Sequence, residues 1–111
     1  MYTGMKEYKK KLQDVMDSFI EYKRLKEKAY TLNPEDNADE ILSLLDESKK
    51  LRRKASKQLS KLAEYCGFKI LKDINNDARF EEVWRSIKNQ IDYAMEAFYT
   101  ISRFNYNIDL I

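Results

Sequence analysis

Apolar residues recur along this chain three and four positions apart, and three segments hold that rhythm long enough to be helices. In the first, Met5, Tyr8, Leu12, Val15, Phe19 and Tyr22 fall on one face, and Met16 and Ile20 widen it. The phase slips near Leu25 and resumes through Ala29 and Leu32, so the pattern predicts a helix over about 3–32. In the second, the stripe is Ile41, Leu44, Ser48, Leu51, Ala55, Leu59, Leu62 and Cys66, thickened by Leu42 and Leu45. Ser48 and Ala55 are small, so a neighbouring helix can approach closely there. In the third, Phe80, Trp84, Ile87, Ile91, Ala94, Phe98 and Ile101 alternate four and three apart.

The breaks between these stripes carry helix-end chemistry. Asn33 can cap a helix, Pro34 fits the first helical position, and Glu35 and Asp36 favour the positive end of the helix dipole. These residues predict a second helix over about 34–66, with Asn37 and Asp39 offering a later start. Gly67 is the expected C-terminal cap, since glycine tolerates the left-handed conformation. A linker, roughly 68–76, carries Phe68, Ile70, Leu71 and Ile74 and is expected to close over one end of the bundle. Asn75, Asn76 and Asp77 are N-cap candidates for a third helix over about 77–104, which leaves a short tail to Ile111. Helices of roughly 28 residues are each about 40 Å long. Short connections favour antiparallel neighbours, and near-heptad stripes favour shallow crossings. The fold class is therefore all-α: one domain over 1–111, an antiparallel bundle of three long amphipathic helices with coiled-coil-like packing and an up-down-up order.

Composition agrees. The chain has 111 residues but only two glycines, Gly4 and Gly67, and one proline, too few turn formers for a β-rich fold. Net charge is only +2, so an anionic partner has to be sought in local clustering. Cys66 stands alone and is expected to be a buried structural thiol. The N-terminus lacks the apolar segment of a signal peptide and no stretch is long enough to span a membrane. The expected location is the cytoplasm, with no membrane partner.

Such clustering occurs on helix two. From Lys49 to Lys61 the chain reads KKLRRKASKQLSK, with no acid among seven basic residues. At 100° per residue, Lys49, Lys50, Arg53, Lys54, Lys57 and Lys61 fall within an arc of roughly 140° opposite the apolar stripe. Arg52 sits apart, near the edge of the core. Six cations over three turns can track a nucleic-acid backbone or meet an acidic protein face. The competing reading is a solvated helix back whose charges pair with acids on a neighbouring helix. No aromatic is interleaved on that face for base stacking, and no helix-turn-helix spacing is present.

Helix three has the opposite surplus. From Ile91 to Phe104 only Asp92, Glu96 and Arg103 are charged. Tyr93, Ala97 and Phe104 form a second apolar line beside the core stripe, and Met95 and Tyr99 lie on the other flank. A helix that is apolar most of the way round is normally buried most of the way round. Tyr93, Ala97, Tyr99 and Phe104 are therefore interface candidates, for a second copy or another protein. The competing reading is that helix one and the C-terminal tail cover them. Glu81, Glu82, Asp92 and Glu96 are expected counter-charges for basic residues on a neighbouring helix or copy.

Catalytic chemistry is sparse. The chain has no histidine, which removes the usual general base and the commonest metal ligand. No glycine-rich phosphate loop can form, and no cofactor or metal is expected. Asp14 and Asp17 lie three apart on helix one, as Asp36 and Asp39 do near the start of helix two. Paired acids on facing helices can hold Mg²⁺. In those four positions the chain resembles the all-helical nucleotide pyrophosphohydrolases, although that family favours Glu where all four here are Asp. The resemblance implies a Mg²⁺-dependent hydrolase as a minor reading.

The leading expectation is a non-enzymatic interaction protein that self-associates and binds another macromolecule, with nucleic-acid binding through helix two as the alternative. A composition rich in Lys, Asn, Ile and Tyr also fits a phage or plasmid accessory protein or inhibitor.

Overall fold

The computed structural model describes the backbone of residues 2–65, 67 and 74–109, and side chains within 6–65 and 74–97. Three helices make up the fold: α1 (Tyr2–Thr31), α2 (Ala38–Tyr65) and α3 (Asp77–Asp109). No strand occurs among the described residues.

Two boundaries differ from the sequence reading. Helix α2 starts at Ala38, because the Asn37 carbonyl accepts its first helical bond, from Ile41 N at 2.9 Å. Asn33 instead builds the turn before it, its Oδ1 accepting from Glu35 N at 3.0 Å and its carbonyl from Asn37 N at 3.0 Å. An asparagine side chain that closes its own turn competes with helix propagation, and here the turn wins. Helix α3 runs on to Asp109, so the segment expected to fray at Phe104 and turn into a tail continues the helix. The remaining ends agree. Asn76 caps α3, its carbonyl accepting from Phe80 N at 2.9 Å and its Oδ1 from Arg79 N at 3.2 Å. Gly67 ends α2 at φ 84°, with its N–H bonded to the Glu64 carbonyl at 3.1 Å.

Helix α1 is antiparallel to both of its partners. Along α2, Tyr8 meets Tyr65 near one end, while Tyr22 lies against Arg52. Along α3, Tyr22 bonds Asp77, Phe19 stacks on Phe80, and Trp84 bonds the Leu12 carbonyl. Helices α2 and α3 therefore run in the same direction, and the order is up-down-down in place of up-down-up. Ile74 lies beside Arg52, about 20 Å along α2 from Tyr65. Eleven residues between helices are ample for that return, which is why the short-connection rule fails here.

The return also staggers the bundle. Helix α3 begins alongside Tyr22, so the last turns of α1 and the first turns of α2 form a two-helix hairpin. The molecule measures 76 × 26 × 18 Å, longer than the roughly 50 Å of its longest helix. The phase slip near Leu25 now has a cause. Up to Tyr22 the α1 stripe serves two neighbours, and beyond it Leu25 and Ala29 remain buried where only α2 lies alongside.

The core runs where all three helices meet. Leu12, Val15 and Phe19 of α1, Ala55, Leu59 and Ala63 of α2, and Phe80, Val83 and Ile87 of α3 are almost wholly buried. Each large side chain there contributes about 1.5–3 kcal/mol of hydrophobic stabilisation. Ser48 is buried as well, its hydroxyl donating to the Leu45 carbonyl at 2.9 Å. Ile20 and Leu42, expected to widen the stripes, are exposed.

Arg52 joins the three helices. It donates to Asp77 Oδ1 at 3.2 Å, to Ser56 Oγ at 2.6 Å and to the Ile74 carbonyl. Its guanidinium lies 4.5 Å from the Phe80 ring centroid and 5.3 Å from that of Phe19. A planar cation is suited to such a position, since it stacks on rings while its edge donates in the plane.

Candidate functional site

The basic run of α2 stands on the side of the helix away from the core. Lys49, Lys50, Arg53, Lys54, Lys57 and Lys61 are all exposed. Among the described residues only Lys50 has an acid within ion-pair distance, Asp46 Oδ2 at 3.2 Å on its own helix. The acids of α3 go elsewhere: Lys23 meets Glu81 at 2.8 Å, Lys9 meets Asp92 at 3.2 Å, and Arg79 meets Glu82 at 3.0 Å. The expected counter-charges are thus spent on α1 and on α3 itself. Among the described residues the band shows no pairing with acids of a neighbouring helix, and its exposure is that of a solvated helix back.

The band crosses α2 obliquely, and a groove between α1 and α2 opens at each end. At the Lys49 and Arg53 end, a groove of about 460 Å³ is lined by Tyr22, Lys26 and Tyr30 of α1 together with Leu45, Lys49 and Arg53. It lies beyond the start of α3, in the space that the stagger leaves open. Lys26 donates to the Tyr22 hydroxyl at 3.5 Å, and that hydroxyl donates on to Asp77 Oδ2 at 3.2 Å. Electrostatic attraction to the Tyr22 oxygen, with the hydrogen bond to it, holds the Lys26 ammonium above the ordinary lysine range.

At the Lys61 end, a groove of about 370 Å³ is lined by Tyr8, Lys11 and Asp14 of α1 together with Gln58, Lys61 and Tyr65. The Tyr8 and Tyr65 rings are 4.5 Å apart, tilted by 41°. Gln58 Oε1 is buried here with no hydrogen-bond partner. Tyr30 and Tyr65 are 71% and 73% exposed, so each groove presents an open aromatic ring beside the band. The sequence shows no aromatic on the basic face itself. Tyr65 follows Lys61 by one turn on α2 itself, and the antiparallel pairing of α1 with α2 brings Tyr30 to the other end of the band.

A third cationic cluster, between α1 and α3, is partly neutralised. Lys9 pairs with Asp92 there, and Lys88 lies 5.9 Å from the Trp84 ring.

Of the interface candidates on α3, Tyr93 is 76% exposed and Ala97 is partly exposed. The side chains of Tyr99 and Phe104 lie outside the described residues, as does Cys66. The C-terminal tail, which the competing reading lays over this face, is helical through Asp109.

The four aspartates do not meet. Asp14 and Asp17 sit beside the C-terminal half of α2, whereas Asp36 and Asp39 lie at and just after the hairpin turn, about 25 Å away along the bundle. Among the described residues no group of three or more His, Cys, Asp or Glu side chains could hold a metal ion. No helix among the described residues is long and apolar enough to cross a membrane. Comparison with known protein families, with curated proteins and with solved structures finds no match to this chain.

Proposed function

We propose that this chain is a non-enzymatic helical interaction protein that binds nucleic acid through the basic band of α2. The observation that carries the reading is the unneutralised charge. Among the described residues, five of the six band cations have no acid within ion-pair distance, and Glu81, Glu82 and Asp92 of α3 pair with residues outside the band. Cations held apart from acids on an 18 Å length of rigid helix are the electrostatic footprint of a polyanion site, the length being about twelve residues of rise.

Binding is expected to be salt-dependent. Six phosphate contacts give a slope of log affinity against log salt of about −5 on a duplex and about −4 on a single strand. Fluorescence anisotropy of a labelled oligonucleotide between about 50 and 200 mM salt reads the slope. Reversing Arg53 and Lys57 to Glu should abolish binding while leaving helicity intact, since both side chains are exposed. Absence of binding in dilute buffer, or affinity indifferent to salt, sinks the reading.

A second reading is favoured by a separate observation, the 76% exposure of Tyr93 on a helix that continues past its expected end. A tyrosine that open beside a partly exposed Ala97 fits self-association through α3. The two readings use different faces and are compatible.

A further inference from the structure

We infer that the nucleic acid held by this band is single-stranded, with bases stacked on Tyr30 and Tyr65 and an amino-bearing base placed against Gln58. This rests on the proposed function and assigns its substrate class.

Tyr30 and Tyr65 stand at opposite ends of the band, both more than two-thirds exposed. Along the bundle axis they are separated by the α1 length from Tyr8 to Tyr30, about 33 Å. At the stacked rise of about 3.4 Å per nucleotide, that length takes on the order of ten nucleotides, within the site sizes of single-strand-binding proteins. A duplex would lay phosphates along the cations but keep its bases inside, out of reach of either ring. A single strand uses both features at once. Its phosphates follow Arg53, Lys57 and Lys61, and its bases turn onto the two aromatics, which is the arrangement of charge and stacking that strand binders share.

The Lys61 groove adds a preference. Gln58 Oε1 is buried and unpaired there. A buried acceptor without a partner is costly, and a ligand that donates a hydrogen bond relieves the cost. Asp14 lines the same groove and adds a second acceptor. Two acceptors beside a stacking ring suit a base with an exocyclic amino group, such as cytosine or adenine. They suit thymine less, because its exocyclic oxygens are acceptors themselves. Tyr65 is already tilted on Tyr8 and offers its other face to the base.

The test is anisotropy titration of labelled 12-mers at pH 7.5 and low salt: oligo-dC, oligo-dT and a mixed sequence as single strand and as duplex. The single strand should bind at least tenfold more tightly than the duplex. Tyr30→Ala and Tyr65→Ala should each weaken it roughly tenfold, the equivalent of one stacked base. Tyr65→Phe should restore it, since the ring is what matters. Oligo-dC should exceed oligo-dT about fivefold, and Gln58→Leu should erase that ratio. Circular dichroism melts confirm that each variant is folded, and Tyr30, touching solvent over most of its ring, is the variant least able to disturb packing. Equal or tighter duplex binding, alanine losses under twofold, or equal affinity for the two homopolymers overturns the inference. If Arg53→Glu with Lys57→Glu leaves binding unchanged, the band itself is wrong and the proposed function falls with it.

Discussion

Replacing Arg52 with alanine should be among the most damaging single changes outside the apolar core. Three acceptors lose their donor at once: Asp77 Oδ1, Ser56 Oγ and the Ile74 carbonyl. Three rings, those of Phe80, Phe19 and Tyr22, lose a cation within 6 Å. The Arg52 side chain is 12% exposed and that of Asp77 is 36% exposed. Breaking a fully buried pair costs about 3–5 kcal/mol, and the partial exposure of Asp77 lowers that figure. Tyr22 also continues to donate to Asp77 Oδ2, so the carboxylate is not abandoned. The net expectation is a loss of about 3 kcal/mol, a large part of the stability of a domain this size. Urea titration followed by circular dichroism measures it, and the midpoint of thermal unfolding should fall by roughly 12 °C. Arg52→Lys should lose about half as much, because an ammonium keeps the charge but cannot fork to acceptors on two elements. A double-mutant cycle with Asp77→Ala should return a coupling of about 1 kcal/mol. A loss under 1 kcal/mol for Arg52→Ala, or a lysine variant as stable as wild type, refutes the role of the guanidinium as the joint of the three helices.

Phe80→Ala should cost about 3–5 kcal/mol in the same urea assay, since Phe80 is fully buried and stacks on Phe19 at 4.3 Å; a cost under 1.5 kcal/mol would mean the core closes over the gap. Gly67→Ala should cost about 1 kcal/mol through backbone strain alone, because φ is 84° and a Cβ would meet nothing within 4 Å; an equally stable variant would show that α2 can end another way. If α3 mediates self-association, wild type is an oligomer by light scattering, and Tyr93→Ser lowers its mass with helicity unchanged; a monomeric wild type or an unchanged mass removes that face.

The three helices were legible in the sequence because each stripe repeats at helical spacing, and Asn76 and Gly67 marked two ends correctly. The stagger was written there too, in the phase slip at Leu25, but a slip has no unique cause until a neighbour is known to be missing. The direction of α3 was not legible. Its parallel run beside α2 depends on a return connection whose path no local pattern encodes. The start of α2 was misjudged because Asn33 can serve either a cap or a turn, and proline fits both. On the candidate site, the basic band was plain from spacing. Tyr65 was legible, one turn beyond Lys61 on the same helix, though the arc drawn for the band left it out; Tyr30 was not, since only the pairing of α1 with α2 brings it beside Lys49. The phase of Arg52 already set it apart from the band, near the edge of the core, but the joint it makes between the helices followed only from the position of α3.

The return connection also divides the molecule by order of assembly. Helices α1 and α2 pair through neighbours joined by a six-residue turn, 32–37, so their hairpin can close early. Docking of α3 must await contacts such as Trp84 on Leu12, which lie 72 positions apart. It packs chiefly on α1 and more lightly on α2. Amide hydrogens of α3 should therefore exchange with solvent faster than those of the hairpin, as a separate opening unit. The band and both of its grooves lie wholly on the hairpin, so a molecule with α3 swung away would keep its cationic surface while uncovering an apolar seam. Engagement of the strand and opening of the third helix then meet at Arg52 and Tyr22, which both line the Lys49 groove and bond Asp77 of α3.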